Sequence, residues 1–305
     1  MHVLVSGSTG FLGTALVESL ERQGHTVARL VRPGTPPKSA SGPRTQAVPW
    51  DPIAGRFDAV GAEGAEALIH LAGASIAGGR WNASRKELLR TSRIDATRHL
   101  IGALAKLQRP PRVIVSASAI GYYGNRGDET LTEASASGND FLAGLCREWE
   151  AETARGAEFG ARVVNLRFGI ILAAHGGALP KMVLPFKLGA GGRLGDGRQW
   201  MSWLTLGESL SIIQFALANS GLTGPVNAVT PNPVRNNDFI GVLAKALHRP
   251  ALFPAPAFAL RLALGEMADA LLLISQRVLP SKLADSEYSF LQARLDGALT
   301  EVFGK

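Results

Sequence analysis

The chain has 305 residues, of which 46% are hydrophobic and 19% are charged. These values are typical of a globular protein with a substantial core, and they exclude an intrinsically disordered chain. The formal net charge of +7 is spread along the sequence without a long basic run, so we expect no nucleic acid partner. The single cysteine, Cys146, excludes an internal disulfide and is typical of a cytoplasmic protein.

The first and the most apolar late segments both argue against a membrane protein. Met1 leads directly into an apolar run, so we expect no signal peptide. The apolar stretch 258–279 is interrupted by four charged residues, Arg261, Glu266, Asp269 and Arg277. This spacing predicts a helix with a wide buried face rather than a membrane span. We therefore expect a soluble protein without a membrane partner.

Short apolar runs alternate with helical patterns through the first 170 residues. Regular alternation of this kind predicts an α/β fold, in which helices cover both faces of a doubly wound parallel sheet of the Rossmann type. The predicted strands are 2–6, 26–31, 45–48, 67–71, 112–116 and 162–166, and the predicted helices include 12–23, 85–107 and 141–159.

The sequence changes character after about residue 168. The glycine-rich segment 173–197 has no clear period and predicts loops over a cleft, whereas 204–218 returns to a strand followed by a helix. Many prolines and a mostly helical tail follow. We therefore predict a dinucleotide-binding Rossmann domain over 1–170 and about 204–220, and a smaller C-terminal substrate lobe over about 171–203 and 221–305.

The first strand runs directly into the turn Gly7-Ser8-Thr9-Gly10-Phe11-Leu12-Gly13 and then into a helix. Gly7 permits the tight turn, Gly10 lets a pyrophosphate approach the backbone, and Gly13 lets the helix pack closely on the strand. The N–H groups at the helix start bind phosphates. A plain glycine-rich turn is the alternative, but the order strand, turn, helix favours a dinucleotide site. Its predicted residues are Gly7, Thr9, Gly10, Phe11, Leu12 and Gly13.

The end of the second strand indicates which dinucleotide binds. An acidic residue at this place would bind the ribose 2′-hydroxyl of NAD, but the sequence has Arg32 and no acidic residue nearby. A guanidinium favours a 2′-phosphate through charge-assisted hydrogen bonds, so NADP(H) is preferred over NAD(H). A solvated surface arginine is the alternative.

Several further motifs follow one another in order: Trp50-Asp51-Pro52, Leu71-Ala-Gly-Ala-Ser-Ile76, Arg80-Trp81, Ser92-Arg93, Ser118-Ala-Ile-Gly-Tyr-Tyr-Gly124 and Gly197-Arg-Gln-Trp-Met-Ser-Trp203. Together with the glycine turn they resemble the extended short-chain dehydrogenase/reductase superfamily, of the NAD(P)-dependent epimerase/dehydratase type. Within it they look like the epimerase family proteins of largely unassigned substrate, whose small C-terminal module resembles the tail 256–303.

The resemblance implies further cofactor contacts. Asp51 would accept a hydrogen bond from the adenine amino group, and Ser116 and Ala117 would border the nicotinamide ribose. Phe168 and Gly169 would lie at the nicotinamide face. Leu71, Ala72 and Gly73 would line the adenosine half, although simple core packing of Leu71 is an equal alternative.

The catalytic pair of the superfamily, Tyr-x-x-x-Lys, is absent, because no tyrosine of this chain has a lysine four residues later. Phe141 or Leu142 takes the place of the tyrosine, and Leu145 or Cys146 that of the lysine. Ser118 matches the serine position, where its hydroxyl would donate to a substrate oxygen; capping of a turn is the alternative.

Other candidate residues have weaker support. Arg93 replaces the asparagine that usually supports a proton-relay water, and would reach the cofactor or an anionic substrate, unless it belongs to a solvated basic face with Arg90 and Arg98. His70 lies in an apolar strand and is predicted to be a core residue. Tyr122 is a candidate acid, Lys181 a candidate on a covering loop, and Arg193, Arg198, Gln199 and Trp200 a candidate substrate wall.

Two functions fit these features. The first is an NADP(H)-dependent oxidoreductase or epimerase-like enzyme that acts on a small polar molecule, with an unconventional proton donor. The second is a cofactor-binding regulator that senses NADPH without turnover. The missing Tyr/Lys pair favours the regulator, and the elaborated second lobe favours the enzyme. By analogy with related folds, the helical stretches 85–107 and 141–159 leave open a homodimer.

Overall fold

The structure is a computed structural model that describes residues 1–34, 42 and 44–304. Its strands are β1 His2–Ser6, β2 Thr26–Val31, β3 Thr45–Asp51, β4 Arg56–Phe57, β5 Ala67–His70, β6 Val113–Ala119, β7 Thr130–Leu131, β8 Arg162–Phe168, β9 Ile170–Leu172, β10 Trp200–Met201, β11 Trp203–Thr205, β12 Gly224–Ala228, β13 Val234–Arg235 and β14 Arg277–Val278.

The α-helices are α1 Phe11–Arg22, α2 Ala59–Ala62, α3 Ala83–Thr91, α4 Ile94–Leu104, α5 Phe141–Ala154, α6 Leu179–Lys187, α7 Leu206–Ala218, α8 Asn236–Leu247, α9 Ala257–Leu264, α10 Ser281–Asp285 and α11 Leu295–Phe303. Short 3₁₀ turns follow β6 at Ile120–Tyr123 and α5 at Arg155–Phe159, and a π-helical turn covers Ala268–Leu272.

Eight strands form one sheet in the order β12-β8-β6-β5-β1-β2-β3-β4. All neighbours pair in parallel except β3 and β4, which are antiparallel. The α/β Rossmann-type fold is therefore confirmed. The chain proceeds from β1 to β2 on one side and returns to β5 on the other, so the strand order switches at β1. Ligands of such sheets bind beyond the carboxyl ends of the strands at this switch.

Two apolar layers hold the helices against the sheet. Leu16 and Leu20 of α1 pack with Ile212 of α7 on one face, and Leu100 and Leu104 of α4 pack on the other; all five are fully buried. Burying each such side chain contributes about 1.5–3 kcal/mol. The rigid sheet thereby fixes the strand ends that carry the candidate residues.

The structure divides two predicted helices. The stretch 85–107 contains α3 and α4, because the chain turns at Ser92, whose hydroxyl accepts a hydrogen bond from the N–H of Ala74. The stretch 141–159 contains α5 and then a 3₁₀ turn that ends at Gly160, which has a left-handed backbone. The hydrophobic periodicity of the sequence does not predict these breaks, because the segments before and after each break both have an apolar face.

The C-terminal part differs from the sequence prediction in three respects. The predicted loop 173–197 contains α6, whose second residue is a proline, a favourable place for it. Strand β12 joins the main sheet, so the sheet extends to Ala228 and beyond the predicted boundary near 220. The apolar stretch 258–279 forms no single helix with a buried face, because α9 ends at Gly265 and buries none of its residues.

A separate apolar cluster lies between α6, α8 and α11, around Phe186, Phe239 and Leu299. Phe258 and Leu262 of α9 remain 73% and 78% exposed. Among the described residues no helix has both the length and the apolar character needed to cross a bilayer.

Candidate active site and cofactor cleft

The glycine turn between β1 and α1 is built so tightly that side chains do not fit. Gly7 has φ +68°, and a Cβ there would lie 2.7 Å from the carbonyl carbon of Leu71. A Cβ on Gly13 would lie only 2.1 Å from the carbonyl oxygen of Gly7. The Gly10 N–H donates to the same oxygen at 3.0 Å. The mechanical roles expected for the first and third glycines are therefore realised.

The amino end of α1 faces the carboxyl edge of the sheet without a side-chain cap from any described residue. Thr9 and Gly10 are exposed, and Phe11 and Leu12 are half-buried. The glycine pair Gly176–Gly177 lies against the Phe11 ring, and a Cβ on Gly176 would collide with it at 2.4 Å. The helix end thus offers N–H groups to an anion, with one side closed by the segment before α6.

The loop after β5 is anchored by a buried histidine. Ser6 Oγ accepts hydrogen bonds from the N–H groups of Leu71 and Ala72, at 3.1 and 3.3 Å, and lies 2.6 Å from His70 Nδ1. His70 Nε2 lies 2.8 Å from Thr97 Oγ1. Burial, with a smaller effect of Arg93, lowers the pKa of His70 to about 4. His70 is thus confirmed as a neutral core residue, and it holds the loop that would line the adenosine half.

Arg93 lies directly beneath the same loop. Its guanidinium donates to the carbonyl of Ala74 at 2.9 Å, and its Cζ lies 3.0 Å from where a Cβ on Gly73 would be. Burial lowers the pKa of Arg93 to about 10, so it remains a cation. The solvated basic face is wrong for Arg93, although exposed Arg90 and Arg98 fit it and pair with Glu148 and Glu152.

Arg32 and Asp51 lie at the far end of the predicted cofactor site. Arg32 is exposed at the end of β2. Asp51 Oδ1 accepts from the N–H groups of Ile53 and Ala54, both at 3.0 Å. These hydrogen bonds, that of Ala54 first, lower the pKa of Asp51. The Asp51 carboxylate therefore shapes the turn after β3, and its contact with adenine stays a prediction.

The predicted nicotinamide neighbours come from β6 and β8, which pair side by side. Ser116 is fully buried, and its hydroxyl donates to the carbonyl of Ala117 at 3.3 Å. Phe168 is 8% exposed, and a Cβ on Gly169 would lie 2.6 Å from the carbonyl oxygen of Ser202. Their contacts with a cofactor stay predictions.

A buried polar network joins the end of β6 to α5 and β8. Ser118 Oγ donates to Glu150 Oε1 at 2.6 Å. Arg167 donates from Nε to Oε1 and from Nη2 to Oε2 of Glu150, both at 2.8 Å. The Ser118 hydroxyl proton is therefore directed to Glu150 in this structure, and the contact of Ser118 with a substrate stays a prediction.

Two tyrosines extend this network in different ways. Arg167 Nη1 donates to Tyr123 Oη at 3.0 Å, and this phenol donates to Asn227 Oδ1 at 2.6 Å. Burial raises the pKa of Tyr123 to about 12, which makes it a structural donor. The Arg167 Cζ lies 3.4 Å from the centroid of the half-buried Tyr122 ring, so Tyr122 covers the ion pair.

Leu142 and Cys146 occupy the inner face of α5 next to this network. A Cβ on Gly121 would lie 3.4 Å from Leu142 Cβ. The Cys146 thiol donates to the carbonyl of Ala119 at 3.7 Å, and burial raises its pKa to about 11. Neither side chain relays a proton at neutral pH. A cavity of about 300 Å³ begins at Leu142 and is walled by Trp81, Phe141, Arg261, Glu266 and Asp269.

The remaining candidates are distributed over the second lobe. Lys181 Nζ donates to the carbonyl of Ala77 at 3.2 Å and so joins α6 to the loop after β5. Arg193 lines a groove of about 490 Å³ with Asn237 and Leu252. Buried Gln199 donates to the carbonyls of Leu194 and Leu272, which makes it part of the lobe's packing.

Trp200 belongs to a separate cluster of charged residues. Its Nε1 donates to Asp128 Oδ1 at 2.9 Å, and the guanidinium carbons of Arg235 and Arg277 lie 4.6 and 4.7 Å from its ring centroid. Arg198 is exposed nearby, and its carbonyl accepts from Arg235. The structure therefore brings Arg198 and Trp200 together, and it places Arg193 against Gly197, the residue before Arg198.

Sequence reasoning missed Glu150 and Arg167. A signal was present, because Glu150 lies one helical turn beyond Cys146 and two beyond Leu142, on the face that replaces the Tyr/Lys pair. Arg167 lies in the apolar strand β8, and nothing in the sequence around it indicates a functional residue. A buried charge requires a partner, and its partner, the Glu150 carboxylate, comes from a different element.

Comparisons with known proteins agree with this geometry. The NAD dependent epimerase/dehydratase family matches residues 3–228, and a domain of unknown function, DUF1731, matches residues 255–302. An epimerase family protein of Mycobacterium bovis is 39% identical over 297 residues, 97% of this chain and 96% of its own length. The epimerase family protein YfhF of Bacillus subtilis is 38% identical over 99% of this chain and 98% of its own length.

Solved structures give the same picture. The human epimerase family protein SDR39U1, crystallised with NADPH, has a TM-score of 0.88 and 31% identity, with both chains covered completely. A UDP-glucuronic acid 4-epimerase from Bacillus cereus, in complex with NAD, has a TM-score of 0.77 over 98% of this chain and 96% of its own. At 16% identity it shows the fold alone. The family resemblance of the sequence is confirmed.

Proposed function

Because the chain belongs to the NAD-dependent epimerase/dehydratase family, we propose that it is an NADP(H)-dependent oxidoreductase or epimerase-like enzyme that acts on a small polar molecule. One observation carries this proposal. The amino end of α1 lies at the switch point of the sheet, no described residue caps it with a side chain, and the glycines of the preceding turn leave room for a diphosphate.

Arg32 supports a preference for NADP(H) over NAD(H). Its guanidinium is exposed at the end of β2, where the 2′-substituent of the adenosine ribose lies in this fold. The human relative was crystallised with NADPH, whereas the more distant Bacillus cereus epimerase was crystallised with NAD. Since the fold accepts both dinucleotides, the local charge at Arg32 decides between them.

Along the carboxyl edge of the main sheet, the residues present are suited to bind each part of a dinucleotide. The α1 start would hold the diphosphate, the loop Leu71–Gly73 the adenosine, and Ala117 with Gly169 the nicotinamide end. When bound, the nicotinamide supplies hydride exchange with a carbon that carries oxygen. Ser118 would hold that oxygen, Tyr122 would close the site, and Lys181 would fix the loop after β5.

Calorimetry of the full chain with NADPH and NADH tests the proposal. Arg32→Glu should weaken NADPH binding by about ten- to a hundredfold, the value of one or two charge-assisted hydrogen bonds, and NADH binding by much less. Arg22→Glu makes the same charge change at the opposite end of α1 and should leave both affinities nearly unchanged. Equal losses for both dinucleotides would disprove the preference, and no binding by the wild-type chain would disprove the function.

A regulator that binds NADP(H) without turnover is the second candidate. Leu142 and Cys146, at the places of the missing Tyr/Lys pair, favour it. Tight NADPH binding without NADPH oxidation across a panel of small ketones and aldehydes would support the regulator. Substrate-dependent oxidation that is lost in Ser118→Ala would support the enzyme.

A further inference from the structure

Arg93 is a buried cation without a carboxylate partner. The residue is 9% exposed, and its guanidinium donates to the carbonyls of Ala74 at 2.9 Å and Leu89 at 3.4 Å. Among the described residues, no carboxylate lies within ion-pair distance of it. The Leu89 carbonyl belongs to the last turn of α3, and a helix end carries only about half a charge. The positive charge of Arg93 is therefore only partly compensated, which is costly in a protein interior.

The other ionisable groups near Arg93 do not cancel its charge. Cys146 faces the guanidinium as a neutral thiol, because burial raises its pKa. Glu150, on the same helix as Cys146, is held at two points by Arg167, so that pair carries no net charge. Arg85 is a second cation, which donates to the next carbonyl of the loop after β5. The electrostatic potential around Arg93 is therefore positive.

The position of Arg93 links the loop after β5 to α5. On one side, its Cζ lies 3.0 Å from where a Cβ on Gly73 would be. On the other side, its Cζ lies 5.2 Å from the ring centroid of Trp149 on α5. The neighbouring Cys146 thiol of α5 donates to the carbonyl of Ala119, at the end of β6. This strand end carries the predicted neighbours of the nicotinamide ribose, so the cation lies on the nicotinamide side of the cleft.

The oxidised and reduced forms of the dinucleotide differ by one positive charge on the nicotinamide ring, whereas their phosphates are identical. A cation on the nicotinamide side repels the oxidised ring and has no such effect on the neutral, reduced ring. We propose that Arg93 selects the redox state of the cofactor, so that the chain binds NADPH more tightly than NADP⁺. This inference rests on the proposed function and adds a second selection at the same site. Arg32 distinguishes the phosphorylated dinucleotide, and Arg93 its reduced form.

Calorimetry of the full chain with NADPH and with NADP⁺ tests the inference. We expect NADPH to bind about tenfold more tightly or better, the effect of one poorly screened unit charge. Arg93→Met removes the charge but keeps an unbranched side chain, and should bring the two affinities within about twofold of each other. Arg93→Lys keeps the charge and should retain the preference. Arg90→Met makes the same change at an exposed arginine of α3 and should leave the ratio unchanged.

Ionic strength separates the contribution of Arg93 from that of Arg32. Arg32 is exposed, so added salt should weaken the binding of NADPH and NADP⁺ alike. Salt screens a buried charge much less, so the ratio of the two affinities should persist at about 0.5 M NaCl. A ratio that disappears with salt would overturn the inference, because an exposed charge would then make the distinction.

The outcomes for the inference and for the proposed function differ. Equal affinities of the wild-type chain for NADPH and NADP⁺, or an undiminished preference in Arg93→Met, would overturn the inference and leave the proposed function intact. Failure of both forms to bind would disprove the proposed function and the inference with it. Thermal unfolding checks that Arg93→Met folds. If it does not, the wild-type ratio, its salt series and Arg93→Lys decide, and loss of the preference in Arg93→Lys counts against the inference.

Discussion

Glu150 and Arg167 form a two-point ion pair inside the protein, with both donor–acceptor distances at 2.8 Å. Burial alone would lower the pKa of Arg167, but the hydrogen bonds and charge of Glu150 raise it overall. If one partner of a buried ion pair is removed, the remaining charge stays buried without a counter-ion. Its desolvation penalty is then uncompensated, and the folded state is destabilised.

Glu150→Ala should therefore destabilise the fold by about 3–5 kcal/mol, because Arg167 stays buried without a counter-ion. Glu148→Ala removes a carboxylate from the same helix, but its pair with Arg90 is 44% and 45% exposed and should contribute no more than about 1 kcal/mol. Urea denaturation of the two variants checks the difference. Equal losses would show that the Glu150–Arg167 pair is not buried in solution.

The buried His70 should make stability depend on pH. Its folded pKa, about 4, lies below the ordinary 6.5, so only the unfolded chain takes up the proton between these values. The free energy of unfolding should fall as the pH falls from about 6.5 to about 4, by roughly 3 kcal/mol from this group. His70→Gln should flatten this part of the profile, while the same change at exposed His175 should not. A wild-type profile that is flat over this range would contradict the assignment.

Cys146 should be unreactive in the folded protein. With a pKa of about 11 against 9.0 for a free thiol, its thiolate fraction at pH 8 is about a hundredfold lower, and the side chain is 4% exposed. Alkylation by iodoacetamide, followed by mass spectrometry, should be slow in buffer and rapid in urea. Rapid modification of the native chain would contradict the burial of the Cys146 thiol.

Gly13→Ala should damage the cofactor site. The added methyl group would lie 2.1 Å from the Gly7 carbonyl oxygen, so the turn has to move, at a cost of about 1–3 kcal/mol. NADPH affinity should fall with stability. Gly102→Ala is the control, since its Cβ meets nothing within 4 Å on α4, and it should stabilise the chain by about 0.5–1 kcal/mol. Calorimetry and thermal unfolding of both variants check this, and unchanged NADPH binding in Gly13→Ala would contradict it.

Local patterns were sufficient to predict the sheet and the glycine turn. Parallel strands such as β1 and β2 are buried on both faces and appear in the sequence as continuous apolar runs. The contacts that define the candidate site come from distant segments. Glu150 and Arg167 meet because α5 packs on the β6–β8 pair, and no spacing in the sequence reports that contact.

The same limit explains the missed helix break in the Rossmann domain and the errors in the second lobe. The break at Ser92 depends on a hydrogen bond with Ala74, in a loop far along the chain, and α6 lies in a segment whose glycines predict loops. The cluster around Trp200 gathers Asp128, Arg235 and Arg277 from three separate segments. Clusters of side chains from distant segments depend on the tertiary fold, so local sequence patterns do not predict them.

Thr97 lies on α4, behind the sheet, yet two side chains connect it to the edge where the cofactor would bind. His70 links it to Ser6, and Ser6 receives the N–H groups of Leu71 and Ala72. The neutral imidazole donates from one nitrogen and accepts at the other, so the two hydrogen bonds of His70 depend on each other. Replacement of Thr97 by valine would remove the hydrogen-bond partner of His70 Nε2 in the core. The loop that would line the adenosine half therefore depends on Thr97, a fully buried residue that has no direct contact with that loop in the hydrogen bonds described above.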